Sequence, residues 1–127
     1  ACAVAIANLK ILQREKLVER VRDDIGPYLQ ARWATLAVHP LVGEARMTGL
    51  MGAFELVKNK EPMERFDSKQ GAGTTFRDAA IRNGVCLRAS GDTIICAPPF
   101  TLTHAEADEL VDKARLALDE SLALLNP

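Results

Sequence analysis

Arg88 is the residue whose type and setting point most directly to chemistry. It stands in an otherwise apolar stretch, Val85-Cys86-Leu87-Arg88-Ala89, beside the turn signal Ser90-Gly91-Asp92 and shortly before Pro98-Pro99. A charge inside such a strand is costly unless it is paired or reaches solvent or a ligand. The planar, permanently charged fork of a guanidinium fits a carboxylate through two parallel hydrogen bonds. From the residues alone two kinds of partner stay open: Asp92 or another carboxylate of the domain, and the carboxylate of a bound molecule.

The other candidates carry less. His39 precedes Pro40 and His104 falls in the first turn of a capped helix, so both read as surface polar residues rather than as the base of a nucleophile. Gly71-x-Gly73 follows no clear strand and lacks the full G-x-G-x-x-G spacing, so it reads as loop rather than phosphate cradle. Cys2, Cys86 and Cys96 are odd in number, widely spaced and without a C-x-x-C pair, which argues against a disulfide framework and a zinc site. They suit a reduced compartment in which a buried thiol acts as a small hydrophobe. Glu15, Glu19, Asp23 and Asp24, with Asp108, Asp112 and Asp119, lie on amphipathic helices where a solvated face is expected. No acid and base pair stands out, and no catalytic or metal-ligating residue is assigned.

The 127 residues carry 16 Lys plus Arg against 17 Asp plus Glu, and 48% are apolar, the balance of one globular domain. A net charge of -1 and a pI near 6.2 supply no basic field for a phosphate backbone, so no nucleic-acid partner is expected. The apolar run Ala1 to Ala7 is far shorter than the roughly 20 residues that cross a bilayer, and no basic segment precedes it. A soluble, cytoplasmic protein without a membrane partner is the expectation. With only six aromatic residues, the core must be built mainly from Leu, Val, Ile and Ala.

Arg88 must be positioned by the elements around it. The opening ACAVAIANLKIL is apolar from the first residue, with no Ser, Thr, Asp or Asn to cap it, so the chain is expected to start inside an element and to be a fragment. From Lys16 to about Ala37, Leu17, Val18, Val21, Ile25, Leu29, Trp33 and Leu36 recur at helical spacing, and Gly26-Pro27 predicts a kink or two shorter helices. His39-Pro40 ends that segment. Between Leu41 and Val57 apolar and polar residues alternate around Thr48-Gly49, giving two strands, with Val42, Glu44 and Arg46 on one face of the first. The stretch Lys58 to Gly73 contains the best candidate for a mobile surface loop. Thr74 or Thr75 is expected to cap a helix that stops at Asn83-Gly84. Val85 to Ala97 forms a hairpin-like unit around Ser90-Gly91-Asp92, and Thr103 with Glu106 makes a capping box ahead of a last amphipathic helix. The order predicts an α/β fold, a short antiparallel or mixed sheet covered by helices.

Taken together, the blocks ACAVAIANLKIL, HPLVGEARMTGLMGAFELV and NGVCLRASGDTIICAPP, the last followed by its capped helix, resemble the C-terminal region of the class III pyridoxal-phosphate-dependent aminotransferases, the omega-aminotransferase family. The resemblance covers nearly the whole chain. It implies that residues 1–127 are the C-terminal small domain of the aspartate-aminotransferase fold and lack the large domain that binds pyridoxal phosphate. It also implies a parent homodimer that moves an amino group from an amine or omega-amino acid to a keto acid such as pyruvate. The lysine that holds the cofactor covalently would lie upstream. Lys10, Lys16, Lys58, Lys60, Lys69 and Lys113 match no cofactor motif, so no cofactor-binding residue is assigned. One functional position carries over: Arg88 aligns with the family arginine that grips the substrate carboxylate and swings away for amines that lack one. Cys86 and Leu87 stand where relatives often have other apolar residues. The alternative is a free-standing α/β binding or regulatory module, and a fragment of the enzyme would itself be inactive.

Overall fold

The computed structural model describes residues 1–125. Helix α1 (Cys2–Arg14) is followed by α2 (Leu17–Arg20), a π segment (Val21–Ile25), α3 (Gly26–Ala34) and a 3-10 turn (Thr35–Val38). Strands β1 (Val42–Thr48) and β2 (Met51–Leu56) form a hairpin, and α4 (Ala72–Arg82), β3 (Arg88–Ser90), β4 (Thr93–Cys96) and α5 (His104–Leu125) complete the fold. The four strands make one antiparallel sheet in the order β1-β2-β4-β3. Helix α3 packs on β1, α4 on β3, and α5 lies against both helices. This is the short sheet covered by helices that the element order predicts; it is antiparallel throughout, and the helices pack on one of its faces.

Strand alternation sorts the residues between the two faces. Gly52, Phe54 and Leu56 of β2, with Ile94 and Cys96 of β4, point into the helix layer and are buried or nearly so. Trp33, Phe54 and Phe76 form the aromatic centre of that core, with ring centroids 5.4 and 5.3 Å apart. Burying each such side chain contributes about 1.5–3 kcal/mol. On β1 the expected alternation is broken. A bulge between Val42 and Glu44 turns Val42 into the core with Met47, while Glu44 and Arg46 stay outside. The extra residue is Gly43, and a Cβ there would lie 2.7 Å from Val57 and 2.8 Å from Met63, so the bulge is packed from above.

The helical stripe from Leu17 onward holds, but Gly26-Pro27 is absorbed without a break. Proline has no N–H to donate and its ring crowds the carbonyl four residues back, which here belongs to Asp23. The wider π turn relieves both, and the Gly26 N–H bonds to the Val21 carbonyl five residues earlier. A Cβ on Gly26 would sit 2.2 Å from that same oxygen, so only glycine closes the turn. The real break is earlier, at Lys16, whose left-handed φ of 49° separates α1 from α2. No residue of α1 is buried.

Two further expectations change. Helix α4 begins at Ala72 and is capped by neither Thr74 nor Thr75. Its start is held from across the fold, where Asp92 Oδ1 accepts a hydrogen bond from the Gly73 N–H at 3.3 Å. Gly73 sits so close to the β3–β4 turn that a Cβ would fall 1.8 Å from the Gly91 carbonyl oxygen. The segment from Lys58 to Gly73 is more structured than a plain surface loop: Asn59 bridges Glu64, Phe66 is buried, and Asp67 and Gln70 form a capping box. At α5 the expected capping box is present, with Glu106 Oε2 accepting from the Thr103 N–H at 2.8 Å and Thr103 Oγ1 accepting from the Glu106 N–H at 3.2 Å. The hydrogen bonds that this carboxylate accepts from the Thr103 N–H and the Thr103 hydroxyl hold the Glu106 carboxyl below the usual range.

Candidate carboxylate-binding site

The sheet face opposite the helices is open. Cross-strand pairing sets one row on it: Arg88 opposite Ile95, Ile95 opposite Ala53, and Ala53 opposite Arg46. The next row runs Ser90, Thr93, Glu55, Glu44. All eight residues are exposed or half-buried. Beside the first row lies an apolar hollow of about 400 Å³ lined by Met47, Met51, Ala53, Ile95 and their neighbours.

Arg88 opens the edge strand β3 and is exposed. Among the described residues it has no ion pair or side-chain hydrogen bond. Asp92, the neighbour weighed as its partner, is turned to the helix layer and occupied with Gly73. Arg46 at the far end of the row is in the opposite condition. Its guanidinium donates to Glu55 Oε1 at 3.0 Å and to Glu44 Oε2 at 3.2 Å. Glu55 also accepts from the Thr93 hydroxyl at 2.8 Å. Burial pushes the Glu55 carboxyl upward, but the hydrogen bonds from Thr93 and Arg46 and the charges of Arg46 and Arg65 outweigh it and hold the group below its ordinary range. Sequence reading missed this network, because only the pairing register brings Glu55 beside both Arg46 and Thr93.

The other candidates lie away from the open face. His39 is buried, not on the surface: its Nδ1 accepts from the Leu41 N–H at 3.2 Å, and Nε2 lies 3.2 Å from Asp119 Oδ1. It joins the start of the sheet to α5. His104 is partly exposed, 3.0 Å from Asp24 and edge-on to Tyr28. Asp108 and Asp112 do more than face solvent, since Tyr28 donates to Asp108 at 2.9 Å and Arg32 pairs with both. These contacts tie α3 to α5. Cys2 and Cys86 are exposed and Cys96 is buried. Among the described residues no group of three His, Cys, Asp or Glu could hold a metal ion. No helix among them is long and apolar enough to cross a membrane.

An arginine without a counter-ion among the described residues, at the edge of an open antiparallel sheet on a chain of this element order, can be set against known proteins. The family model for class-III aminotransferases matches residues 1–118. The chain belongs to the class III aminotransferase family. It is 50% identical over 123 residues to a putrescine–pyruvate aminotransferase of Pseudomonas aeruginosa, covering 97% of this chain and 27% of that protein. It is 39% identical to gamma aminobutyrate transaminase 1 of Solanum lycopersicum, covering 95% of this chain and 23% of that one. Among solved structures, a thermostable omega transaminase mutant from Pseudomonas jessenii superposes with a TM-score of 0.91 at 33% identity, over 98% of this chain and 28% of that chain. An (S)-enantioselective omega-transaminase from Thermomicrobium roseum superposes at 0.89 with 38% identity, over 95% of this chain and 27% of that one. The chain thus spans about a quarter of the length of the relatives it matches, and its fold is the one these transaminases share in this region.

Class III aminotransferases imply pyridoxal phosphate, and the lysines of this chain do not fit it. Lys58 pairs with Glu64, Lys60 donates to the Ala37 carbonyl at 2.6 Å, and Lys113 pairs with Glu109. Lys10 lies on α1, Lys16 at the break after it and Lys69 in a 3-10 turn. None belongs to the sheet rows that carry Arg88, and none is buried as a lysine kept neutral to attack a carbonyl would be.

Proposed function

We propose that residues 1–127 are the C-terminal small domain of a pyridoxal-phosphate-dependent aminotransferase, and that Arg88 holds the carboxylate of the keto-acid acceptor during amino transfer. The complete enzyme takes the amino group from an amine or omega-amino acid and gives it to a keto acid such as pyruvate. The names of the relatives, putrescine–pyruvate and gamma aminobutyrate transaminases, support this substrate range. The cofactor is held by parts of the enzyme outside these residues. The working enzyme is a homodimer in the cytoplasm.

One observation carries the assignment. Arg88 is the strand guanidinium on the open face that lacks a carboxylate partner among the described residues, whereas Arg46 on the same row has two. A carboxylate docked at the β3 edge gains a forked, charge-assisted contact without displacing an internal ion pair. The residue's work is to bind and orient; it neither takes nor gives the proton moved in the reaction. Substitution of Arg88 by Ala in the complete enzyme, with the amine and keto-acid half-reactions measured separately, tests the reading. Loss confined to the keto-acid half-reaction is expected, and equal loss in both marks a structural arginine.

A further inference from the structure

The open face has a pairing that the Arg88 reading does not use. Two strand guanidinia, Arg46 and Arg88, share that face with two carboxylates, Glu44 and Glu55, and both carboxylates engage Arg46. Glu55 is the centre of that pairing. It is four-fifths buried, its two oxygens take hydrogen bonds from Arg46 on β1 and Thr93 on β4, and it lines a cavity with Arg65. Glu44, the other partner of Arg46, is exposed and correspondingly weaker.

We propose that Glu55 is a positioning residue for substrate choice: by engaging Arg46 it leaves Arg88 as the strand guanidinium available to a carboxylate, so that this face selects keto acids with one carboxylate over those with two. The inference rests on the assignment of Arg88. Arg46 and Arg88 rise from the same face three strand steps apart, about 14 Å between backbones at the usual spacing of about 4.8 Å per step. Only Ile95 and Ala53 lie between them in the row, and neither competes for an anion. If the charge of Glu55 is removed, Arg46 keeps only the exposed Glu44 and the face gains an unmatched positive charge. A dicarboxylic keto acid then has a second cation to meet on the same surface.

The test uses the complete cofactor-loaded enzyme, with pyruvate and 2-oxoglutarate as acceptors, comparing wild type, Glu55→Gln, Arg46→Gln and the double variant. Glu55→Gln keeps the size of the side chain and its capacity to accept hydrogen bonds. We expect it to raise kcat/KM for 2-oxoglutarate relative to pyruvate by roughly tenfold, the low end for one charge-assisted contact, through KM rather than kcat. The double variant, which removes the released guanidinium, should return the ratio to that of wild type. An unchanged ratio in Glu55→Gln, or a raised ratio that persists in the double variant, overturns the proposal. Should Glu55→Gln fail to fold, Glu44→Gln weakens the same pairing from an exposed position and should shift the ratio in the same direction by a smaller factor; no shift there also overturns it. Arg88→Ala run in parallel separates the two readings. If that variant keeps full pyruvate turnover, the Arg88 assignment fails; if it loses turnover while the Glu55→Gln ratio stays fixed, only the positioning role fails.

Discussion

Arg88 and Arg46 occupy the two ends of one row across the sheet, and among the described residues only Arg46 of the two is paired, with Glu55 at 3.0 Å and Glu44 at 3.2 Å. Identical side chains on one surface are thus given different work by their neighbours. Arg46 is held by carboxylates of its own sheet face, and Arg88 is left to whatever carboxylate approaches the β3 edge.

Arg88→Lys keeps the charge but not the fork. In the complete enzyme it should restore part of what Arg88→Ala loses in the keto-acid half-reaction. The loss in the alanine variant is about 1.5–3 kcal/mol for a charge-assisted contact, or roughly ten- to over a hundredfold. Deamination of an amine without a carboxylate should be nearly unchanged in both variants. Single-turnover rates measure this, and full recovery by lysine would mean that point charge alone is used.

The surroundings of His39 predict a pH dependence of stability and its sign. Burial drives its pKa down, the nearby Asp119 draws it back, and Arg115 and Lys60 push it down further, leaving it below the ordinary histidine value. The unfolded chain therefore binds a proton at higher pH than the folded one. The stability contribution is complete above about pH 6.5 and is lost as pH falls below it. Urea unfolding between about pH 8 and pH 5.5 should show a steeper loss for wild type than for His39→Gln. Parallel curves would assign the titration elsewhere.

The cap of α4 should respond to Asp92 and not to the threonines. Asp92→Ala removes the acceptor on the Gly73 N–H and should cost about 1 kcal/mol, while exposed Thr74→Ala should change stability by less than about 0.5 kcal/mol. Gly73→Ala forces a Cβ into the backbone of Gly91 and should cost about 1–3 kcal/mol or more. Thermal unfolding of the three variants ranks them. Thr74→Ala as the most damaging would restore the local cap that the sequence suggests.

The three thiols should separate by reactivity. Burial pushes the Cys96 thiol up to about 12, whereas Cys2 and Cys86 are exposed. A thiol-disulfide reagent at about pH 8 should modify two groups quickly and the third only under denaturing conditions. Three equally fast thiols would mean that β4 opens readily.

Much of this fold is written in local patterns. The stripe from Leu17 to Leu36, the alternation along β2 and the capping box of Thr103 and Glu106 involve residues within a few positions of one another, and each element is where its pattern predicts. The departures share a cause, since each depends on a neighbour distant in sequence. Asp92 caps a helix 19 residues earlier, Val57 and Met63 pack the bulge at Gly43, and Asp119 and Leu41 give a buried His39 its partners. The same holds at the candidate site. Arg88 was legible because a charge in an apolar strand is conspicuous, but the tie of Arg46 to Glu55 depends on register across a hairpin.

Among the described residues the sheet ends on both sides in unpaired backbone, β1 at one edge and β3 at the other. Such edges invite another strand to add, and proteins blunt them with brevity and charge. Strand β3 has three residues and begins with exposed Arg88, and β1 carries exposed Glu44 and Arg46 beside its bulge. The guanidinium proposed to receive a substrate therefore also guards the sheet against edge-to-edge aggregation, and an apolar replacement at residue 88 would expose the chain to that hazard as well as to the loss of a ligand contact.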